Sequence, residues 1–322
     1  MDSDNTISGS KQYSRREILA GLASIPVIGV IGYGLFQHIN DRNKKLAPLL
    51  DDISSILPKG ISPVVEGETI RLGIVGTGSR GKYLMKALGF LHPSRLDQYI
   101  ESAKKSNEWA QYLNDFYAQE DLNIEITAIC DVFDKNANWG VETAANIHRN
   151  GTGGKMGNAP KRFLTYQELV ASPDVDAVII ATPDHLHIPV ALEAVKNNKH
   201  IYCEKPLSCT VEETFAIREA VKESEIIFQL GHQGRQTENY HIAKSLINIG
   251  VIGKISLIEV CTNRNDPNGA WVYEIDPDAN ENTIDWKQFI GPAPWHEFSL
   301  ERFFRWRCWW DYSTGLSGDL FT

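Results

Sequence analysis

Five short apolar runs set the rhythm of the middle of the chain: Ile70–Val75, Ile124–Cys130, Val175–Ala181, His200–Cys203 and Ile226–Gly231. Runs of this length with few polar interruptions suit strands buried on both faces. Helical stretches follow several of them, at Tyr83–Leu88, at Pro189–Asn197 and from Val211 onward. Strands alternating with helices predict an α/β fold with a doubly wound parallel sheet. Between the first helix and the second strand, residues 90–122 exceed a simple connection. Trp109, Tyr112, Leu113 and Phe116 recur there at helical spacing, which predicts an inserted helical hairpin packed through its aromatics. Further on, a helix is expected at about His241–Ile249 and a long strand at Lys254–Thr262.

From Asn263 the pattern dissolves into loop-rich, aromatic sequence. Six of the eight tryptophans fall between Trp271 and Trp310. Such a density suits either packing or a wall for stacking sugars. Arg305 and Arg307 alternate with the aromatics, where a guanidinium can bind a carboxylate or stack on a ring.

The N-terminus has a different character. Residues 1–17 are polar and end in Ser14-Arg15-Arg16-Glu17, and Ile18–Phe36 then runs for 19 residues without a charge. A charged segment before an apolar stretch is an address, not part of a fold. The paired arginines resemble a twin-arginine export signal, with a plain membrane anchor as the alternative. Either places the protein in the periplasm or anchored facing it, and the first makes the twin-arginine translocation machinery a partner. Residues 1–36 are therefore expected to be signal or anchor and 37–67, mixed in charge and broken by Pro58, Gly60 and Pro63, a linker.

Composition narrows the function classes. At 322 residues and 42% hydrophobic the chain has room for two cores. Its 32 basic against 41 acidic residues give a net charge of −9, which disfavours nucleic acid as a partner. The five cysteines are widely spaced and form no CxxC pair, so no metal site and no disulfide framework is indicated.

The chemistry gathers at strand ends. The first strand leads into Gly76-Thr77-Gly78-Ser79-Arg80-Gly81 and then a helix, the context in which GxGxxG binds a dinucleotide. Gly76 permits the turn, Gly78 admits the pyrophosphate, Gly81 lets the helix pack close, and the helix N-terminus offers N–H groups. Asp131, ending the second strand, can accept the adenosine ribose hydroxyls and repel a 2′-phosphate, which favours NAD. It lies beyond the usual spacing of about 20 residues because of the insert. Arg80 can offset phosphate charge or favour NADP, so NADP stays open. Thr182-Pro183-Asp184-His185-Leu186-His187 ends the third run and Glu204-Lys205-Pro206 the fourth. Ligands of doubly wound sheets bind at these carboxyl ends.

Together, GIVGTGSRG at 73–81, ICDV at 129–132, ATPDHLH at 181–187, CEKPLSCTVEE at 203–213, QLGHQGR at 229–235 and GVIGKI at 250–255 resemble the Gfo/Idh/MocA family. The resemblance implies a Rossmann domain, here 68–206, followed by a C-terminal α+β domain with a mostly antiparallel open sheet, here a partial one at 207–322. It implies a nicotinamide cofactor lined by Thr182, Pro183, His185, His187 and Glu204, and a sugar or polyol bound between the domains. Glu204 is expected to pair with Lys205 or contact the nicotinamide ribose, and either histidine alternatively caps a helix. Lys205 matches the family's catalytic lysine and Asp319 its catalytic aspartate. Both are assigned to the substrate with Gln233 and Arg235. The family's partner histidine would fall just after Thr322, so the chain reads as truncated. Three functions follow: an exported NAD(P)-dependent oxidoreductase acting on a sugar, polyol or glycoside; an NAD-dependent glycosidase or lyase working by transient oxidation; or a non-catalytic binding protein if the chain ends at Thr322. The family resemblance also implies a homo-oligomer.

Overall fold

The computed structural model describes residues 68–148, 157–235, 237–261, 267 and 269–321. The signal and linker expected at 1–67 lie outside them. Strands β1 (Ile70–Val75), β2 (Ile124–Cys130), β3 (Lys161–Phe163), β4 (Ala177–Ile180), β5 (His200–Glu204) and β6 (Phe228–Gly231) form one sheet in the order β3-β2-β1-β4-β5-β6. Every neighbouring pair is parallel. The order reverses between β1 and β4, so a crevice opens where their following loops diverge.

Helices cover both faces. Alternation along β1 sends Leu72 and Ile74 to one face and Val75 to the other, as the two-residue period of a strand requires. The first face is closed by α1 (Ser79–Ala87), through Leu84 and Met85, and by α4 (Asp134–Ala144), through Ala144. On the opposite face lie α5 (Tyr166–Ala171), α6 (His187–Lys196) and α7 (Val211–Lys222), whose Leu169, Val190, Ala191 and Ile217 meet Val178, Ile180 and Ile201. Both α5 and α7 start with reciprocal capping: Thr165 and Thr210 accept the N–H of Glu168 and Glu213, whose carboxylates reach back. Between α1 and β2 sit α2 (Pro93–Ala103) and α3 (Asn107–Tyr117), joined by ring contacts of Tyr99 with Trp109 and Tyr112.

Two expectations need correction. The described part of the strand expected at Lys254–Thr262, residues 254–261, is not a strand, and Leu257 and Ile258 are 79% and 75% exposed. Among the described residues there is accordingly no antiparallel C-terminal sheet; the sheet present is the parallel one. A strand needs a neighbour to pair its N–H and C=O groups, and no described strand lies beside this segment.

The chain divides into two compact units, Gln236–Ser256 belonging to one and Ser62–Arg235 with Leu257–Thr322 to the other. In the first, α8 (Glu238–Asn248) is the described element. In the second, α9 (Trp286–Ile290), α10 (Leu300–Phe304) and α11 (Gly315–Leu320) form an aromatic lobe. Trp286, Phe289 and Tyr312 make its core, and Phe133 at the start of α4 meets Phe303 and Phe304 edge-on.

The close approach of α1 to the turn before it is a strict requirement. A Cβ on Gly81 would lie 2.1 Å from the carbonyl oxygen of Gly76, which is backbone and cannot swing aside. Gly81→Ala is expected to destabilise the protein by about 1–3 kcal/mol and to weaken dinucleotide binding, measured by urea unfolding and by NAD+ titration.

Candidate functional site

A cleft of about 750 Å³ opens at the carboxyl ends of β1, β2, β4 and β5, with the aromatic lobe as its far wall. Its near edge is the glycine turn. Gly76 stands at φ +92°, and a Cβ there would meet the carbonyl oxygen of Ala181 at 2.6 Å. Only glycine combines that conformation with that approach. Gly78 has no atom within 4 Å of where a Cβ would point. It precedes α1 without a side-chain cap, so the helix begins with N–H groups available at the cleft. Gly78, Ser79 and Arg80 all line it.

Asp131 lines the cleft at the end of β2. Its Oδ2 accepts from the N–H (2.7 Å) and hydroxyl (3.2 Å) of Thr77, and its Oδ1 accepts from the N–H of Phe133 (2.9 Å). Burial pushes this carboxyl upward against those bonds. Thr77 itself is fully buried and braces Asp131 beneath the turn.

Thr182 and Pro183 line the cleft after β4, and the buried Thr182 hydroxyl has no partner. The two histidines that follow part company. His187 borders the cleft, with Nδ1 2.7 Å from the Pro206 carbonyl and Nε2 3.0 Å from the Thr182 carbonyl. It thereby staples the β4 loop to the segment carrying Lys205. His185 does not reach the cleft. It is buried in the aromatic lobe against Phe289 and Tyr312, with Nε2 2.8 Å from the Phe289 carbonyl.

Glu204 ends β5 and Lys205 lies just past it, and the two side chains find different partners. The expected Glu204–Lys205 pairing is therefore replaced by others. Buried Glu204 accepts from Arg80 Nε (2.7 Å), the Tyr202 hydroxyl (3.0 Å) and Gln233 Nε2 (2.8 Å). Burial, with Glu204 beside it, pushes the Tyr202 phenol up to about 12. Arg80, expected to offset phosphate charge, is thus already neutralised by Glu204. Lys205 turns to Asp319 instead: its ammonium donates to Oδ1 at 3.0 Å and to the Asp319 carbonyl. Arg307 stands 3.5 Å from the same Oδ1 and stacks 4.1 Å over Trp306. It fills both roles that its alternation with aromatics suggested, whereas Arg305 bonds the Tyr273 carbonyl and Glu301. Gln233 lines the cleft; Arg235 is exposed and does not.

Asp184 is a site residue that sequence reasoning passed over. It lines the cleft while 2% exposed, and its Oδ2 accepts from the Ser313 hydroxyl at 2.9 Å. Burial pushes its carboxyl upward, and nearby His187 and Arg307 oppose that. Its place within ATPDHLH was the available signal.

A profile of the Gfo/Idh/MocA oxidoreductases, described as an oxidoreductase family with an NAD-binding Rossmann fold, matches residues 70–232, just over half of the 322. The chain belongs to this family. It is similar to levoglucosan dehydrogenase from Pseudarthrobacter phenanthrenivorans, 41% identical over 90 residues that are 28% of this chain and 23% of that one. It is also similar to scyllo-inositol 2-dehydrogenase (NAD(+)) from Bacillus subtilis, 42% identical over 87 residues, 27% and 25% of the two chains. These matches span about a quarter of the relatives' length. Myo-inositol dehydrogenase from Lactobacillus casei, solved with NAD(H) and myo-inositol, aligns with a TM-score of 0.41 at 22% identity over 57% of this chain and 43% of that one.

The residues fit the nicotinamide dinucleotide of a Gfo/Idh/MocA Rossmann domain. Gly78 leaves room for a pyrophosphate over the start of α1, and the unpartnered Thr182 hydroxyl offers a bond on the opposite wall.

His185 provides a test of how the aromatic lobe is fastened. Because the Phe289 carbonyl can only accept, Nε2 carries the proton, and the buried Nδ1 has no partner. Burial holds the imidazole down to about 4, from an ordinary 6.5. Between those values the unfolded chain binds the extra proton, so this contribution to stability is lost as pH falls from 6.5 towards 4. The unfolding free energy of the wild type is expected to drop over that window by on the order of 2–3 kcal/mol more than that of His185→Gln, read from paired urea titrations.

Proposed function

We propose that this chain carries the cofactor-binding and catalytic parts of an oxidoreductase that moves hydride between nicotinamide and the carbinol carbon of a sugar, polyol or glycoside. The observation that carries the reading is the Lys205–Asp319 pair on the cleft that also holds the glycine turn. A bound nicotinamide supplies the hydride acceptor. Lys205, held by Asp319, presents its ammonium to the reacting oxygen and stabilises negative charge developing there, and the Asp319 carboxylate accepts the hydroxyl proton as the hydride leaves the carbon. Asp319 and Arg307 orient the hydroxyl, with Gln233 at the margin. His187 keeps Lys205 in register with the Thr182 wall. The sugar and cyclic polyol named for the two relatives support the substrate class, and Asp131 with the engaged Arg80 supports NAD over NADP.

The twin arginines before Ile18–Phe36 support export, with the enzyme periplasmic or anchored facing the periplasm and delivered by the twin-arginine machinery. Assembly as a homo-oligomer rests on the family resemblance.

Lys205→Met is expected to lower turnover on responsive sugars or polyols by about a hundredfold to ten-thousandfold, while NAD+ affinity changes only a few-fold. NADH formation and product analysis read turnover, and NAD+ titration reads the affinity. Undiminished turnover overturns the role of Lys205, and glycoside cleavage without NADH accumulation replaces net oxidation with a redox-neutral route. Arg15→Lys with Arg16→Lys is expected to leave the protein in the cytoplasmic fraction, and unchanged export overturns the twin-arginine assignment.

A further inference from the structure

A second cavity, about 500 Å³, lies beside the cleft and shares Asp131 and Val132 with it. Its wall is strongly acidic. Asp131 and Asp134 come from the β2–α4 junction, and Glu281 and Asp285 from the aromatic lobe, beyond the residues matched by the family profile. The cation in this wall is Arg162, which is tied to Asp134. Lys135, next along α4, is held by Asp276 at 2.9 Å and Asp278 at 2.7 Å. Arg162 and Lys135 are thus claimed by carboxylates, and Lys82, on the cleft side of Asp131, donates to the Asn136 amide oxygen at 3.1 Å.

The lobe is fixed against that junction by backbone bonds. Asp134 donates its N–H to the Thr283 carbonyl at 2.9 Å, and Asp285 donates to the Val132 carbonyl at 2.8 Å. Ile284, 3% exposed, packs beside Phe133. Glu281 and Asp285 are therefore held at the end of β2, where a dinucleotide places its adenosine ribose.

We infer that the 281–285 segment is a determinant of cofactor choice: Glu281 and Asp285 reject the 2′-phosphate of NADP across the cavity beside Asp131. This rests on the reading of the cleft as a nicotinamide dinucleotide site. A 2′-phosphate entering here meets a formal excess of carboxylates and no unclaimed cation in the described wall. The ribose hydroxyls of NAD carry no charge and meet no such barrier. Repulsion across a partly exposed cavity is screened by salt.

The test is calorimetric titration of NAD+ and of NADP+ into the full chain and into Glu281→Gln, Asp285→Asn and the double variant. Asparagine retains the acceptor that caps α9 through the Gln288 N–H, and thermal melts check that each variant folds. The wild type is expected to prefer NAD+, and the double variant to narrow that preference by about tenfold, chiefly through tighter NADP+ binding. Added salt should narrow the preference of the wild type more than that of the double variant. Equal binding of both dinucleotides by the wild type, or an unchanged preference in a folded double variant, overturns the inference while leaving the cofactor site standing. Binding of neither dinucleotide overturns the cofactor reading and this inference together.

Discussion

The site exists because the aromatic lobe is fastened to the turn after β4. Three bonds do this: the His185 ring to the Phe289 carbonyl, the His185 N–H to the Tyr312 carbonyl, and the Ser313 hydroxyl to Asp184. All are at or close to full burial, where an unmade bond costs more than a made one contributes. They span more than a hundred residues of chain and leave only a short run, from Ser313 to Asp319, to reach Lys205. With that anchor, α11 delivers the Asp319 carboxylate to the ammonium at 3.0 Å. The Rossmann half alone supplies no carboxylate partner for Lys205 within the described cleft, because Glu204 faces the other way and is already satisfied by three donors.

That division explains what the sequence made legible. β1 and β2 were readable because most of their positions are apolar and buried, with Arg71, Glu125 and Thr127 as the polar exceptions. β3 was not: of Lys161, Arg162 and Phe163 only the last is buried, so an edge strand left almost no pattern. The run Lys254–Thr262 failed in the opposite sense. Its Ile255, Leu257, Ile258 and Val260 carry strong β propensity, yet propensity cannot supply the neighbouring strand that pairing requires. Strand ends were visible and with them Gly76, Thr182 and Lys205. Asp319 was reached only through the family resemblance, and the pairing of Arg80 with Glu204 was not visible, because it joins positions more than a hundred residues apart.

His185 and His187 show the limit of a motif. Both stand in ATPDHLH, two residues apart, and sequence offers no reason to separate them. The chain turns through one 3₁₀ segment at Asp184–Leu186 before α6 begins, and this rotates one ring into the lobe and leaves the other against the cleft. The motif is therefore two fasteners back to back. One joins the lobe to the sheet, and the other joins the β4 loop to Pro206.

Three cations at the cleft share a further property: Arg80, Lys205 and Arg307 each face a carboxylate, Glu204 for the first and Asp319 for the other two, while Lys82 donates to the Asn136 amide oxygen. Pairing removes most of their net charge before any ligand arrives, and it does so in a chain whose formal balance is −9. Attraction for a pyrophosphate then comes from the start of α1, which no side chain caps, with Lys82 on the same helix adding its charge; of the turn's N–H groups, that of Thr77 is taken by Asp131. Backbone donors bind the phosphates without drawing Lys205 off Asp319. The phosphate-binding and proton-handling ends of the cleft can consequently be occupied together, which a site that bound phosphate through those same cations could not allow.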